Sequence, residues 1–134
     1  MAIHAGWRGV VAGVVEAGVA CLRRSVGGSG ELIAAIGPHI SVAAFEVSEE
    51  VARELDGASP VPGGVVRPQA GAASAKPHVS LRFIVTQKLL ALGLIEARID
   101  QVGGCTYLEP ESYFSFRRDG KRSGRHLSAI VPRA

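Results

Sequence analysis

The stretch that decides the fold is MAIHAGWRGVVAGVVEAGVACLRR, residues Met1–Arg24. Ala2–His4 reads as the end of a β-strand, and from Gly9 to Arg24 apolar residues recur at helical spacing. Gly13 and Gly18 each lower helix propensity by roughly 1 kcal/mol relative to alanine. We therefore expect this helix to pack closely on a sheet.

Beyond this unit, predicted strands and helices alternate with connections of mixed length, which indicates an α/β or α+β sandwich. Ser48 is the predicted N-cap of one helix, and Gly93 ends another. Ile95, Ala97 and Ile99 alternate as the inward residues of a strand. The predicted elements are a strand over 31–36, an extended segment over 45–47, a helix over 48–55, a long loop over 56–76, a helix over 79–92, a strand over 95–102, a turn over 103–106, a strand or extended segment over 112–118, a loop over 119–124 and a strand over 127–131.

The composition is that of one small globular domain, with 134 residues that are 47% hydrophobic and 20% charged. No apolar run reaches the roughly 18 residues that a membrane span needs, and the start lacks the basic region of a signal peptide. Two cysteines are too few for a disulfide scaffold, so the chain is predicted to be cytoplasmic. Cys105 is interpreted as structural or pocket-lining, because no neighbour in sequence is placed to activate it.

Positive charge concentrates near the end of the chain, whose formal net charge is +3. A local cluster with few aromatic residues fits a pocket for an anionic small molecule better than a nucleic-acid surface. We expect some of its arginines in salt bridges that hold the fold and at least one near a site. The cluster comprises Arg117, Arg118, Lys121, Arg122 and Arg125.

The first nine residues are chemically dense, which indicates that the chain is the C-terminal half of a larger catalytic domain. His4, after an apolar strand and before a turn, suits a metal ligand or general base, or an imidazole that hydrogen-bonds across the turn. Arg8 is a bidentate donor for an anion and Trp7 a stacking surface, unless Trp7 is a core anchor and Arg8 a surface charge. Glu46, between Phe45 and Val47, alternates away from the core and is either solvated or a substrate contact.

Four motifs follow one another along the chain: HAGWRG, IGPHI with FEV after it, KPHVSL with QKL, and CT…YFSFRRDG…SGR. In this order they resemble the YfiH/YlmD family, which is labelled polyphenol oxidase or multicopper laccase. Its members are also described as purine nucleoside phosphorylase and adenosine deaminase enzymes, and one branch as a peptidoglycan editing factor. FAMIN is the human relative.

The resemblance implies an α+β fold, with residues 1–134 supplying about half of a four-layer α-β-β-α sandwich whose N-terminal half is absent. It implies a Zn²⁺ site of two histidines and one cysteine, in which His4 is the last ligand and the others lie in the absent half. Copper at this site would be either an adventitious ion or the older assignment behind the laccase label. Ser80 and the segment 84–86 depart from the Asp and Asn common in the family, so a helix cap or local polar contact is expected to differ. The candidate catalytic residues are Arg8, Glu46, Arg117 and Arg118, and the candidate substrate-binding residues are Trp7, Arg8, Gly37, Phe45 and Arg125.

The implied reactions are phosphorolysis and deamination of purine nucleosides of the adenosine, inosine and methylthioadenosine class. In deamination a zinc-activated water attacks the purine C6, and in phosphorolysis phosphate, held by arginines, attacks the ribose C1′. The implied partners are nucleoside and phosphate, without nucleic acid or membrane, and with self-association through exposed strand edges as a further option.

Three other hypotheses stay open. The chain is a non-catalytic fragment or half-domain that needs a partner, or it belongs to a peptidoglycan editing hydrolase. An oxidase with several copper sites is a weaker interpretation, because such sites are built from many histidine and cysteine ligands. This chain has four histidines and two cysteines.

Overall fold

The computed structural model describes residues 1–28, 30–68 and 76–131. None of the helices in these ranges is long and apolar enough to cross a membrane. Two short 3₁₀ turns, Glu96–Arg98 and Gly120–Arg122, accompany the regular elements. In chain order these are α1 (Trp7–Val11), α2 (Val14–Ser25), β1 (Ala34–Ile36), α3 (Glu49–Ala58), β2 (Val65–Val66), β3 (His78–Val79), α4 (Leu81–Ala91), β4 (Ile99–Gln101) and α5 (Phe116–Asp119).

The strands form two small sheets of opposite kind. β1 pairs in parallel with β4, Ala34 opposite Ile99, which requires a crossover through the intervening helices. β2 pairs with β3 in antiparallel fashion. Together with the helices, this mixture makes the chain an α+β fold, as predicted.

The core consists of two apolar clusters. The first lies between α1, α3, β3 and α4, and its buried members are Val10, Phe45, Val47, Ala52, Leu55, Val79, Leu81 and Ile84. The second lies between α2, α4 and the parallel sheet, and its buried members are Val15, Leu89, Leu94 and Ile99. α4 contributes to both clusters, so it is the element that joins them.

One helix is predicted from Gly9 to Arg24, but the structure has two, α1 and α2. Gly13 adopts a left-handed conformation with φ of 80°, which ends α1 and turns the chain into α2. Gly18 makes the expected close approach, but to Ile3 rather than to a sheet, since a Cβ there would overlap Ile3 Cδ1. The structure assigns no strand to Ala2–His4, although this segment lies against α2.

The capping predictions are confirmed. The Ser48 hydroxyl accepts a hydrogen bond from Val51 N at 3.3 Å, and α3 continues three residues beyond the expected Leu55. Ser80 still caps α4 by accepting from Phe83 N at 3.2 Å, so replacing the family's aspartate keeps a cap. Gly93 follows the end of α4 with φ of 90°, as a C-terminal glycine does.

Several predicted bounds after residue 55 are wrong. The helix over 79–92 begins at Leu81, since Val79 lies in β3, and the loop over 119–124 contains a 3₁₀ turn. The loop over 56–76 begins as the last turn of α3 and contains β2, while residues 69–75 lie outside the described ranges. The strand over 95–102 shortens to β4 after a 3₁₀ turn, so Ile95 is 57% exposed and only Ile99 points inward. The segment 112–118 ends in α5, because the Ser115 hydroxyl accepts from Arg118 N. Residues 127–131 form no strand, and Leu127 is 93% exposed.

Two glycines make a matched test of the packing. A Cβ at Gly64 would lie 2.6 Å from Cγ1 of the fully buried Ile84, whereas one at the helical Gly57 meets no atom within 4 Å. We expect Gly64→Ala to lower the free energy of unfolding by about 1–3 kcal/mol through overpacking. Gly57→Ala is expected to raise it by about 0.5–1 kcal/mol. Urea unfolding of both variants measures the difference, and equal midpoints would contradict the packing described.

An ion pair links α2 to α4 and makes stability depend on pH. Lys88 Nζ, nearly buried, lies 2.5 Å from Glu16 Oε1. Burial by itself raises the pKa of Glu16, but the hydrogen bond and charge of Lys88, together with a backbone hydrogen bond, hold this pKa below its ordinary 4.5.

Because the pKa of Glu16 is depressed by folding, its contribution is present above pH 4.5 and is lost as the pH falls through the folded value. We expect the difference in unfolding free energy between the parent and Glu16→Gln to shrink steadily from pH 6 towards pH 3. Denaturant unfolding at several pH values measures this difference. A difference that stays constant with pH would show that the pair does not titrate on folding.

Candidate functional site

Of the predicted site residues, Gly37 lies at the carboxyl end of a parallel strand, and the structure places Cys105 beside it at the same edge of the sheet. An isolated bridge between His39 and Cys105 continues the pairing of β1 with β4, and Thr106 N donates to His39 O at 3.0 Å. Ligands of open parallel sheets bind outside this edge. Gly37, which follows β1, leaves open space where a side chain would stand.

His4 lies exposed before α1, with its ring turned towards the next glycine. Its Nε2 is 3.0 Å from where a Cβ of Gly6 would stand, so a larger residue there would push the imidazole aside. Within the described ranges, no group of three histidine, cysteine, aspartate or glutamate residues can hold a metal ion. The described donors therefore do not fit a resident zinc, and a site that uses His4 needs ligands from elsewhere.

Trp7 and Arg8 form a stacked pair at the start of α1. The Arg8 guanidinium carbon lies 4.3 Å from the centroid of the Trp7 ring. Trp7 packs against the first core cluster, so it is a core anchor as well as a stacking surface for Arg8. The Arg8 guanidinium makes no hydrogen bond or ion pair with a residue that the structure describes.

Phe45, Glu46 and Arg117 are brought together although Arg117 is distant in sequence. Arg117 Nη2 donates to Glu46 O at 2.6 Å, and its guanidinium carbon lies 6.0 Å from the Phe45 ring. Phe45 is only 6% exposed, so its ring belongs to the core. The Glu46 carboxylate turns away from the core, as expected, and pairs with Lys76 Nζ at 3.5 Å.

Arg118 belongs to the network that holds the fold. Its five N–H groups all donate: to both carboxylate oxygens of Asp119 and to the carbonyls of Thr106, Tyr107 and Tyr113. No donor remains for a substrate anion, so the expectation that some arginines of the cluster serve the fold holds for Arg118.

Arg125 is engaged locally. Its Nη1 donates to the carbonyls of Ser123 at 2.8 Å and Gly124 at 3.0 Å, and its guanidinium carbon lies 5.8 Å from the Phe116 ring. The structure does not bring Arg125 into contact with the other candidate site residues.

A cavity of about 260 Å³ opens beside the carboxyl edge of the parallel sheet. Cys105 lines it, as the sequence suggested, but Ser41 and Arg82 were missed. They reach the cavity from the segment after β1 and from the first turn of α4, so only the packing of these elements reveals them. The lining residues are His39, Ser41, Val42, Ser80, Arg82, Gly103, Gly104, Cys105 and Glu109.

Comparison with known proteins assigns the chain to a family. The model of the multi-copper polyphenol oxidoreductase laccase family matches residues 1–133. The chain belongs to this family. The resemblance to YfiH and YlmD is confirmed as well, since YfiH of Escherichia coli is 37% identical over 132 residues, covering 96% of this chain and 49% of YfiH, and is named a purine nucleoside phosphorylase.

Other family members carry names of two activities. A purine nucleoside phosphorylase of Bacteroides thetaiotaomicron is 38% identical over 133 residues, covering 97% of this chain and 48% of that protein. Adenosine deaminase RL5, from an unknown prokaryotic organism, is 35% identical over 127 residues, covering 95% of this chain and 48% of that protein.

The fold agrees with a solved family structure. YlmD of Geobacillus stearothermophilus superposes with a TM-score of 0.69 at 27% identity, covering 86% of this chain and 42% of YlmD. The chain spans about half the length of the curated relatives it matches. It therefore has the α+β fold of about half of a family domain.

Proposed function

We propose that the protein containing this chain is a purine nucleoside phosphorylase and adenosine deaminase acting on adenosine, inosine or methylthioadenosine. The names of its relatives support both activities. Because the chain spans about half of each relative, the activity is proposed for the whole protein. We further propose that residues 1–134 are the C-terminal portion of a family domain, and that the enzyme works in the cytoplasm, where its cysteines stay reduced.

The observation that carries the proposal is the guanidinium of Arg8, which is held on the Trp7 ring and makes no hydrogen bond or ion pair with a described residue. A stacked arginine is oriented yet keeps its N–H groups for a phosphate, which it can bind in bidentate fashion. Arg117, whose Nη2 donates to Glu46 O, is the second candidate to bind the phosphate. In phosphorolysis these arginines would hold phosphate while one of its oxygens bonds to the ribose C1′ and the base leaves with the electron pair of the glycosidic bond.

His4 is proposed as one ligand of a zinc site completed outside the described residues. A bound zinc ion supplies an activated water at neutral pH, which suits deamination. Gly6 lacks the side chain that would crowd the His4 imidazole. Because the described residues add no second and third ligand, no step of the mechanism is assigned to zinc within this chain.

The half-domain alternative is supported by apolar side chains left exposed near the termini and the sheet. Ile33 is 67% and Val131 is 83% exposed, and a complete domain would cover such residues. This hypothesis predicts that residues 1–134 alone self-associate, as a dimer or larger, through these residues. Sedimentation of the chain as a compact monomer would count against it.

A copper-free, anaerobic assay of the intact protein tests the proposed function. With adenosine or inosine and phosphate, we expect free base and ribose 1-phosphate, and with adenosine without phosphate, inosine and ammonia. Arg8→Ala is expected to raise KM for phosphate, whereas Arg122→Ala, an exposed arginine of the C-terminal cluster, should leave it unchanged. Absence of nucleoside conversion in this assay, with oxidation of phenols once copper and oxygen are supplied, would overturn the proposal and favour the laccase label.

A further inference from the structure

Cys105 and His39 place a thiol and an imidazole at the same cavity, which is not lined by His4, Trp7, Arg8 or Arg117. They are direct partners in a parallel bridge, and residues paired in this way project to the same face of a sheet. Neighbouring strands lie roughly 4.8 Å apart. Both residues line the cavity of about 260 Å³ described above.

The thiol is held by donors that favour its ionised form. Ser41 N donates to Cys105 Sγ at 3.3 Å, and Cys105 N donates to Glu109 Oε1 at 2.6 Å, which fixes the loop. Burial raises the pKa of Cys105, but hydrogen bonds from Ser41, with those from the backbone of Leu108 and Tyr107, outweigh it and lower this pKa below 9.0. A thiolate is the nucleophilic form of cysteine.

The imidazole is oriented to act as a base. His39 Nδ1 lies 3.0 Å from Gly37 O, and since a carbonyl only accepts, Nδ1 carries the proton. In the neutral ring Nε2 is then an open acceptor. A nucleophile beside a base that a third group orients is the arrangement used in covalent catalysis.

Arg82 gives the cavity a charge preference. It stands in the first turn of α4 and lines the cavity, and its guanidinium makes no hydrogen bond or ion pair with a described residue. A guanidinium that lines the cavity with its donors unused by the described residues favours a carboxylate or another planar anion.

We propose that this cavity is a nucleophilic-thiol site for small electrophiles that carry an anionic group. Cys105 Sγ forms the new bond, His39 Nε2 takes the thiol proton, and Arg82 binds the anion. The site is independent of the residues proposed to bind phosphate and zinc, and it shares with the nucleoside candidates only Gly37, whose carbonyl orients His39.

Alkylation by iodoacetate, followed by peptide mass mapping, tests the proposal in the intact protein. A C–S bond forms at the methylene carbon, the C–I bond breaks, and iodide leaves with the bonding electron pair. Cys21, half-buried on α2 and away from the cavity, is the internal control. We expect Cys105 to react faster than Cys21, and the rate ratio of iodoacetate to neutral iodoacetamide to be higher at Cys105 than at Cys21.

Two variants separate the roles. His39→Gln should slow alkylation of Cys105 about tenfold or more, given that a well-placed general base contributes roughly 10²–10⁴-fold. Arg82→Gln should abolish the preference for iodoacetate while leaving the iodoacetamide rate unchanged. A variant that fails to fold would show itself by faster alkylation of Cys21. Slower reaction at Cys105 than at Cys21 in the parent, or an unchanged Cys105 rate in a folded His39→Gln, would overturn the proposal.

Discussion

Replacing Arg118 with alanine is expected to lower the free energy of unfolding by at least about 2 kcal/mol, because hydrogen bonds to charged groups contribute roughly 1.5–3 kcal/mol each. The guanidinium satisfies the carbonyls of Thr106, Tyr107 and Tyr113 together with the Asp119 carboxylate. Truncation leaves all of these acceptors without their donor. The loop that follows β4 would lose its link to α5, and with it the position of Arg117.

Arg118→Lys should recover only part of the loss, since three donors on a compact ammonium cannot reproduce a planar fork of five. The matched control is Arg122→Ala, an exposed arginine that makes no hydrogen bond or ion pair with a described residue. It should change the unfolding free energy by less than about 0.5 kcal/mol. Urea unfolding of the three variants of the intact protein measures these values, and equal midpoints for Arg118→Ala and Arg122→Ala would contradict the network.

Replacing His4 with alanine in the intact protein is expected to remove bound zinc and nucleoside turnover together. Loss of an outer-shell partner alone typically costs 10–100-fold, so loss of a ligand should lower kcat/KM by more than about 100-fold. Zinc content by elemental mass spectrometry and product formation by chromatography are read on the same sample.

His126→Ala is the control for a lost histidine. His126 lies exposed near the end of the described chain, and its Nε2 accepts from Phe114 N at 3.2 Å, outside the proposed site. Zinc content and turnover should stay at parent values in this variant. Retained zinc with full turnover in His4→Ala would reject the role of His4, and lost zinc with full turnover would reject a metal in the reaction.

The features that the sequence predicted well are local ones. The Ser48 cap of α3, the glycine after α4 and the helical spacing within α4 depend on residues within a few positions of each other. The contact at Gly18 was also foreseen, because glycines inside a helix are costly unless something packs against them. The four ordered motifs sufficed to indicate the family that comparison confirmed.

The errors share a different cause. The periodicity of residues 95–102 does not show that the chain first forms a 3₁₀ turn. It also does not show that, of the three alternating residues, only Ile99 is buried against α2 and α4. The pattern over 127–131 suits a strand, but a strand exists only where a partner offers hydrogen bonds, and the described residues offer none there.

By itself, then, the sequence determined the class of fold, the caps, the close helix contact and the family, since each follows from short-range spacing or from motif order. Only the tertiary structure decided which charges and thiols serve which task. Arg118 holds the loop after β4 to α5, Arg8 stacks on Trp7, and Cys105 is the bridge partner of His39. The physical reason is that each of these roles depends on which groups from distant parts of the chain meet, and this is fixed by topology and packing.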